Sequence, residues 1–263
     1  MAMTTQAPVQ LTRAEQTARS YAKLGLPRDV LPRHVAVIMD GNGRWARQQG
    51  RERTYGHSQG AKTVRAIVTE CARLELEVLT LYSFSSENWN RPREEVEFLM
   101  ELYIEYLIKE RQEMMANNVK FRQIGRREGL PGPVLAELDR TTLETANNTG
   151  ITLCLAINYG SRAEITDAVR AIAEQVKRGE LDAAAIEEDT ISNHLYTHGL
   201  PDPDLLIRTA GELRVSNYLL WQISYAEIYV ADVCWPQFSV EEFHKSLRAY
   251  AQRTRKFGTV VDD

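Results

Sequence analysis

The stretch HVAVIMDGNGRWA, running from His34 to Ala46, begins with a short apolar run rich in β-branched residues. The run is brief and stops at a glycine cluster, which is typical of a buried parallel strand rather than a helix. We therefore predict a strand over 35–39, with Asp40 at its carboxyl end. In open parallel sheets, ligands bind beyond that end of the strands.

The loop after this strand has the composition of a phosphate site. Glycines let backbone N–H groups approach an anion closely, and a guanidinium holds a phosphate with two parallel hydrogen bonds. The loop offers a carboxylate for a metal ion or a proton, followed by a cradle for phosphate, in Asp40, Gly41, Asn42, Gly43 and Arg44. The alternative is a plain strand-to-helix turn with a capping aspartate.

Composition limits the remaining possibilities. The chain has 263 residues and a formal net charge of −4, so no global basic field indicates nucleic acid as a partner. Cys71, Cys154 and Cys234 lack zinc-ligand spacing, which indicates buried reduced thiols in a cytoplasmic protein. No apolar run approaches membrane-spanning length, so we expect any membrane contact to be peripheral, at the inner face.

Alternating strand, loop and helix patterns predict one α/β domain with a mostly parallel central sheet and helices on both faces. Further strands are predicted over 77–84, 119–124, 151–157, 204–208 and 227–230. Helices are predicted over 11–24, from 58 onward, and over 92–117, 131–147, 162–177, 219–225 and 239–255, while 181–198 is mixed. Residues 1–30 are expected to be a partly mobile N-terminal extension, and 259–263 a tail.

Polar side chains gather after three predicted strands, at 40–45, 85–91 and 208–216. Loops that follow parallel strands converge on one edge of a sheet, so we expect these side chains to meet. The set contains five arginines, two carboxylates and three small hydrogen-bonding groups: Arg44, Arg53, Arg91, Arg208, Arg214; Asp40, Glu227; Ser85, Asn88 and Ser216. Two diphosphates and one Mg²⁺ ion would use such a set fully.

Four blocks together resemble the cis-prenyltransferases, and among these the bacterial undecaprenyl diphosphate synthases. The blocks are MDGNGRWA, the pair Gly56-His57, SFSSENWNRP and RTAGELRVSNYLLWQISYAE, in the order of the family. The resemblance identifies 31–258 as the catalytic domain. It implies condensation of an allylic diphosphate, typically farnesyl diphosphate, with successive isopentenyl diphosphates. The implied product is undecaprenyl diphosphate for the cell-wall lipid carrier, handed to the membrane.

The resemblance also implies Mg²⁺ as cofactor, a homodimer, and a hydrophobic tunnel in each subunit. By motif position, Asp40 resembles the metal-site aspartate, aided by Glu227. The 41–44 loop resembles the allylic diphosphate cradle. Other matches to substrate-binding positions are Trp45, Arg53, His57, Ser85, Ser86, Glu87, Trp89 and Arg91, and, in the isopentenyl clamp, Arg208, Arg214, Val215 and Ser216. Asn88 matches the proposed proton-accepting position, although a diphosphate oxygen or Asp40 is a stronger base.

Two positions depart from the family pattern. Ala210-Gly211 stands where Gly-Gly is common, and alanine is strained there if φ is positive. Lys256-Phe257-Gly258 stands where Arg-x-Gly reaches the partner subunit, and lysine lacks the bidentate fork of arginine.

Three alternatives remain open from the sequence. A short-chain cis-prenyl diphosphate synthase would share every motif. A haloacid-dehalogenase-like phosphatase needs a second acidic residue two positions after Asp40, where this chain has Asn42. A non-catalytic partner subunit would lack the cradle.

Small Ser83, on the second strand, favours an open tunnel and a long product, and the apolar faces of 96–108 and 219–225 favour a homodimer.

Overall fold

The computed structural model describes residues 11–254. Its centre is a six-stranded sheet in which all five strand pairings are parallel. The strands are β1 (His34–Ile38), β2 (Val78–Ser85), β3 (Lys120–Ile124), β4 (Thr152–Tyr159), β5 (Leu205–Arg208) and β6 (Glu227–Val230). Their order is β3-β4-β2-β1-β5-β6, which confirms the predicted parallel sheet. Because β1 lies between β2 and β5, the three strands that precede the predicted functional loops are immediate neighbours.

Eight α-helices accompany the sheet in the described part of the chain. They are α1 (Arg13–Leu24), α2 (Asn42–Gln48), α3 (Arg53–Arg73), α4 (Arg93–Ala116), α5 (Gly132–Glu144), α6 (Ser161–Lys177), α7 (Glu188–Ser192) and α8 (Val240–Ala251). The first ten residues of the predicted N-terminal extension, and Lys256 with its neighbours, lie outside the described residues. Within 11–254, no helix is long and apolar enough to cross a membrane.

Alternate side chains of the strands build a different core on each face of the sheet, as strand geometry requires. Val35 and Val37 of β1 join the larger core, which α1, α3, α4, α5 and α8 cover. Ala36 and Ile38 join the smaller core on the other face, with Tyr218 and Leu219. Glu164 of α6 is bonded to Tyr159 at the end of β4, so helices lie on both faces.

The start of α3 and the whole of α2 differ from the predictions. The pattern indicated a turn at 41–43 and a helix only from 58, whereas α2 begins at Asn42 and α3 at Arg53. The first turn of α3 approaches α2 by its backbone, since a Cβ on Gly56 would lie 2.1 Å from the Asn42 carbonyl oxygen. Apolar periodicity does not report a contact of this kind. The predicted ends of α5 and α8 were also late, because these helices stop at Glu144 and Ala251.

The predicted helix over 219–225 is wrong. The segment forms turns, and Ser216, Asn217 and Leu219 just before and at its start have φ of +47°, +58° and +46°. Its apolar character reflects burial against the sheet, where Tyr218 and Leu219 are fully covered. The apolar stripe of α4 is likewise mostly buried in its own chain, with Ile108 the clearest exception at 53% exposed.

Candidate active site

Asp40 and Arg208 meet where β1 and β5 end. The Asp40 Oδ2 atom accepts a hydrogen bond from Arg208 Nη2 at 2.8 Å, and Oδ1 accepts from the Gly41 amide at 2.7 Å. Thr209 fixes the backbone here, because its hydroxyl accepts from the Asp40 amide and donates to the Asp40 carbonyl. The Asp40 side chain remains 30% exposed, so the carboxylate keeps acceptor sites open to a ligand.

The glycine cradle packs tightly against Cys234 and Ala210. Gly41 has φ of +96°, and a Cβ there would lie 2.8 Å from Cys234 Sγ and 2.9 Å from Ala210 Cβ. Only glycine fits this conformation and this space. Ala210 itself has φ of +69°, so the strain anticipated for alanine at this position is present. Arg44 closes the loop by donating to the Ala210 carbonyl at 2.9 Å and to Glu212 at 2.5 Å.

The residues of the predicted isopentenyl clamp lie around Arg208, of which the side chain is 5% exposed. Its Nη1 atom donates to Ser216 Oγ at 2.7 Å and to the Arg214 carbonyl. Arg214 is 59% exposed and bonds to Glu212, with its guanidinium 3.9 Å from Asp40 Oδ2. The buried Nε of Arg208 has no partner within the described residues. The clamp therefore presents positive charge directly beside the Asp40 carboxylate.

A second cationic group assembles on Glu95, a residue that the sequence reasoning missed. Its carboxylate accepts from Arg53 Nε at 3.0 Å and Nη2 at 3.1 Å, and it contacts His57 Nε2 at 3.2 Å and Arg91 Nη1 at 3.1 Å. Burial alone raises the pKa of Glu95, but the bonds from Arg53 and His57 lower it below its ordinary value. Burial lowers the pKa of His57, against the effect of Glu95. Three candidate diphosphate-binding side chains are thus oriented by one ionised carboxylate.

Both cationic groups open into one cavity of about 390 Å³. Predicted site residues that line it are Asp40, Gly41, Asn42, Gly43, Arg44, Arg53, His57, Ser85, Asn88, Arg91, Arg208 and Ser216. Behind this polar mouth, the lining turns apolar between β2, β4, α3 and α4, at Val64, Leu99, Leu102, Tyr103, Tyr106 and Leu155. Ser83 lines the cavity as well, and its hydroxyl donates to Tyr103 Oη at 3.0 Å. The arrangement suits a molecule with a charged head and a hydrocarbon tail.

Six of the predicted substrate-binding residues do not line this cavity: Trp45, Ser86, Glu87, Trp89, Arg214 and Val215. Trp45 stacks on Tyr55, with ring centroids 5.7 Å apart. Trp89 packs edge-on against Phe84 and donates its indole N–H to Asn158 Oδ1 at 2.8 Å. Asn88 does face the cavity, and its Oδ1 already accepts from the Ser85 amide at 3.2 Å.

Glu227 lies away from this site, so the prediction that it shares a cation with Asp40 is not met within one chain. It begins β6 and pairs in register with Leu205, three residues before Arg208. Three strand residues span about 10 Å, and Asp40 lies beyond the opposite end. The Glu227 carboxylate instead accepts from Arg253 at 2.9 Å. The motif match could not reveal this, because it gives sequence order and not strand register.

The donor set at Asp40 fits a magnesium ion that also uses ligands from a substrate. Over residues 11–254, no three His, Cys, Asp or Glu side chains cluster to form a metal cage. Magnesium is ordinarily held by one or two carboxylates together with substrate phosphate oxygens. A single partly exposed carboxylate at the mouth of a cationic cavity meets that requirement.

Known proteins with similar sequences and structures form one group. The family model described as "Putative undecaprenyl diphosphate synthase" matches residues 38–258. An "Isoprenyl transferase" of Shouchella clausii is 50% identical over 88% of this chain and 90% of its own length. One from Geobacter sulfurreducens is 48% identical over 89% and 95%.

Solved structures agree with these relatives. Lavandulyl diphosphate synthase from Lavandula x intermedia, in complex with dimethylallyl diphosphate, superimposes with a TM-score of 0.86 and 35% identity. This match covers 88% of this chain and 99% of the other. A "probable undecaprenyl diphosphate synthase" from Campylobacter jejuni gives a TM-score of 0.72 at 33% identity, over 87% and 99%. The chain therefore belongs to the undecaprenyl diphosphate synthase family and is a cis-prenyltransferase.

Proposed function

We propose that the protein condenses farnesyl diphosphate with successive isopentenyl diphosphates to a long-chain product, undecaprenyl diphosphate. The observation that carries this proposal is the single cavity with a cationic mouth and an apolar interior. Head groups bind at the arginines, and the growing hydrocarbon extends between β2, α3 and α4. We further propose that residues 31–258 form the catalytic domain and that the product lipid passes to the inner membrane face by peripheral contact.

The two cationic groups divide the substrates between them. The 41–44 cradle, with Arg53 and His57 held by Glu95, binds the allylic diphosphate. The clamp of Arg208, Arg214 and Ser216 binds isopentenyl diphosphate. Asp40 lies between the two groups, within 2.8 Å of Arg208 and bonded to the Gly41 amide. The reacting ends of the two substrates are thereby brought next to each other at the cavity mouth.

Ionisation of the allylic C–O bond builds negative charge on the leaving diphosphate, and the cradle amides with Arg44 and Arg53 stabilise that charge. The isopentenyl double bond then attacks the allylic carbon, and loss of a proton forms the new cis double bond. The amide oxygen of Asn88 already accepts a hydrogen bond from the Ser85 amide. We therefore assign Asn88 the role of positioning the isopentenyl group and not that of the base. A released diphosphate oxygen or Asp40 accepts the proton. Tyr82 and Tyr103 help to line a pocket that keeps water from the cation.

Magnesium would be held by Asp40 together with substrate phosphate oxygens. When bound, it supplies positive charge that offsets the charge developing on the leaving group. The acceptor sites of Asp40 that remain free would bind the ion, and the hydrogen bond from Arg208 holds the Asp40 carboxylate in position.

The direct test incubates purified protein with labelled isopentenyl diphosphate, farnesyl diphosphate and Mg²⁺, followed by product sizing. A mainly three- or four-unit product would refute the long-chain proposal and favour the short-chain alternative. That alternative has one specific support, the similarity to the lavandulyl enzyme. If the product is long, Ser83→Leu should shorten it, because a larger side chain would enter the cavity between β2 and Tyr103.

We propose a homodimer joined near β6. This strand ends the sheet order. Exposed apolar side chains are Ile228 in the strand, Tyr225 just before it and Leu213 in the loop after the neighbouring β5, and they are 43%, 68% and 80% exposed. Such residues at a sheet edge are typical of a protein interface. Light scattering at micromolar concentration tests the proposal, and a monomer there would contradict it.

A further inference from the structure

The segment Ser86–Asn90, a short 3₁₀ turn after β2, is held between two asparagines with left-handed backbones. Asn158 (φ +52°) receives the Trp89 indole N–H, and Asn217 (φ +58°) donates its Nδ2–H to Glu87 Oε1 at 2.8 Å. Asparagine tolerates this backbone region better than most residues. The two anchors lie on different elements, since Asn158 belongs to β4 and Asn217 follows the clamp residue Ser216.

Asn217 uses both ends of its amide. Its Oδ1 accepts from the Arg162 amide at 2.9 Å, while its backbone carbonyl accepts from the Ser161 amide at 2.8 Å. Packing is tight, because a Cβ on Gly160 would lie 2.6 Å from Ser86 Oγ and 2.7 Å from Asn217 Nδ2. Asn217 is thus fixed to the start of α6 on one side and reaches Glu87 on the other.

From these contacts we infer that Asn217 is a positioning residue that couples the 86–90 segment to the isopentenyl clamp. The inference rests on the proposed division of substrates. Asn88 and the clamp residue Ser216 both face the cavity, and the bond between Asn217 and Glu87 sets one loop relative to the other. Ordering of the clamp by isopentenyl diphosphate therefore favours docking of the segment that carries Asn88, and the reverse also holds.

The test first removes the bond between Asn217 and Glu87 and then restores it with donor and acceptor exchanged. Asn217→Asp keeps the acceptor for Arg162 and the tolerance for positive φ, but it places a carboxylate against Glu87. We expect faster amide hydrogen exchange in both 86–90 and 214–218. The isopentenyl diphosphate KM should be about fivefold higher, less than the full loss of one charged hydrogen bond would give, because Asn217 acts on the clamp indirectly. Adding Glu87→Gln restores a donor to Asp at 217, and the double variant should recover most of both losses.

Trp89→Phe is the matched control, because it releases the same segment from Asn158 without touching the clamp. It should speed amide exchange in 86–90 and leave exchange in 214–218 unchanged.

The inference is overturned if Asn217→Asp alters amide exchange in only one segment, or if adding Glu87→Gln causes a further loss instead of restoring the wild-type behaviour. Should Asn217→Asp not fold, Glu87→Ala serves, and unchanged exchange in 214–218 would equally overturn the coupling. Failure of the proposed function appears separately, as wild-type protein that makes no prenyl product.

Discussion

The two ends of β1 carry polar side chains that the fold uses in opposite ways. At the amino end, His34 is 1% exposed and both ring nitrogens are bonded, to the Pro201 carbonyl at 2.6 Å and to Thr80 Oγ1 at 2.7 Å. Just beyond the carboxyl end, Asp40 is partly exposed beside two arginines. A side chain whose hydrogen-bonding atoms all have partners within the protein contributes to stability. A side chain with unused acceptor sites, such as Asp40, can also bind a ligand.

Backbone strain is also distributed unequally between the amino and carboxyl ends of the strands. Seven described residues other than glycine have positive φ, and five of them follow or end strands at the carboxyl edge: Asn158, Ala210, Ser216, Asn217 and Leu219. The remaining two, Glu75 and Asn118, lie just after helices. Residues in sparsely populated conformations persist where surrounding contacts hold them, and they concentrate at functional sites. The edge that carries the candidate site is therefore also the edge where these backbone conformations concentrate.

The sharpest way to break this comparison is Asp40→Ala. We expect kcat to fall by at least about 10³-fold, as for loss of a principal electrostatic contact in the transition state. The fold should be retained at a lower thermal stability, because buried Arg208 loses its carboxylate partner. Asp40→Asn should be nearly as damaging, because an amide does not carry the charge. Asp139→Ala, which removes an exposed aspartate on α5, is the control. Retention of more than about a tenth of wild-type turnover in saturating Mg²⁺, a loss below about 1.4 kcal/mol, would remove Asp40 from the reaction.

Glu95→Gln tests whether a buried carboxylate at this edge serves binding. Glu95 fixes the Arg53 guanidinium so that its Nη1 lies at the cradle, 2.8 Å from where a Cβ on Gly43 would be. An amide carries no charge and offers one acceptor oxygen, whereas Arg53 bonds to both oxygens of Glu95. We therefore expect kcat/KM for the allylic substrate to fall about 30-fold, the effect of one charged hydrogen bond. The isopentenyl diphosphate KM should change little. Glu97→Gln, on the exposed face of the same helix, should match wild type, and a similar loss there would contradict the assignment.

Arg214→Ala sharpens the division between the two substrate sites. The side chain is 59% exposed, and its ion-pair partners are Glu212 and Asp40. Its loss should raise the isopentenyl diphosphate KM about tenfold and the farnesyl diphosphate KM far less. Steady-state kinetics with each substrate varied in turn measures both values. Arg178→Ala, which removes an exposed arginine after α6, is the control. Equal changes in both KM values would mean that the two sites are assigned the wrong way round.

Local patterns predicted the strands and the convergence of their loops, because β-branched apolar runs and terminal glycines act over a few residues. They could not predict Glu95, which lies on a helical face four residues after Arg91 and acquires its role only when α3 packs against α4. Nor could they place Glu227, since its distance from Asp40 depends on the register of β5 with β6. The close backbone contact at Gly56 and the positive φ of Ser216, Asn217 and Leu219 left no periodic signal in the sequence.

The smallest effect on turnover is expected at the other end of β1, from His34→Gln. Burial lowers the pKa of His34 to about 4, against the Pro201 bond and the charge of Asp204, while an unfolded histidine titrates near its ordinary 6.5. Between these values the unfolded state binds more protons, so His34 costs stability as the pH falls through 6.5 towards 4. Glutamine does not titrate. The variant should be less stable than wild type by about 2 kcal/mol at pH 7.5, because buried hydrogen bonds are lost.

That deficit should shrink by about 2 kcal/mol at pH 5, as the wild type alone loses the histidine contribution. Urea unfolding at the two pH values measures the difference, and the exposed His198→Gln serves as control. Turnover at pH 7.5 should stay within about twofold of wild type, because the lost hydrogen bonds lie at the edge of the sheet opposite the cavity. A deficit that does not change with pH would show that His34 is not buried in its neutral form. A loss of turnover comparable to that of Asp40→Ala would show that the two ends of β1 do not divide structure from chemistry.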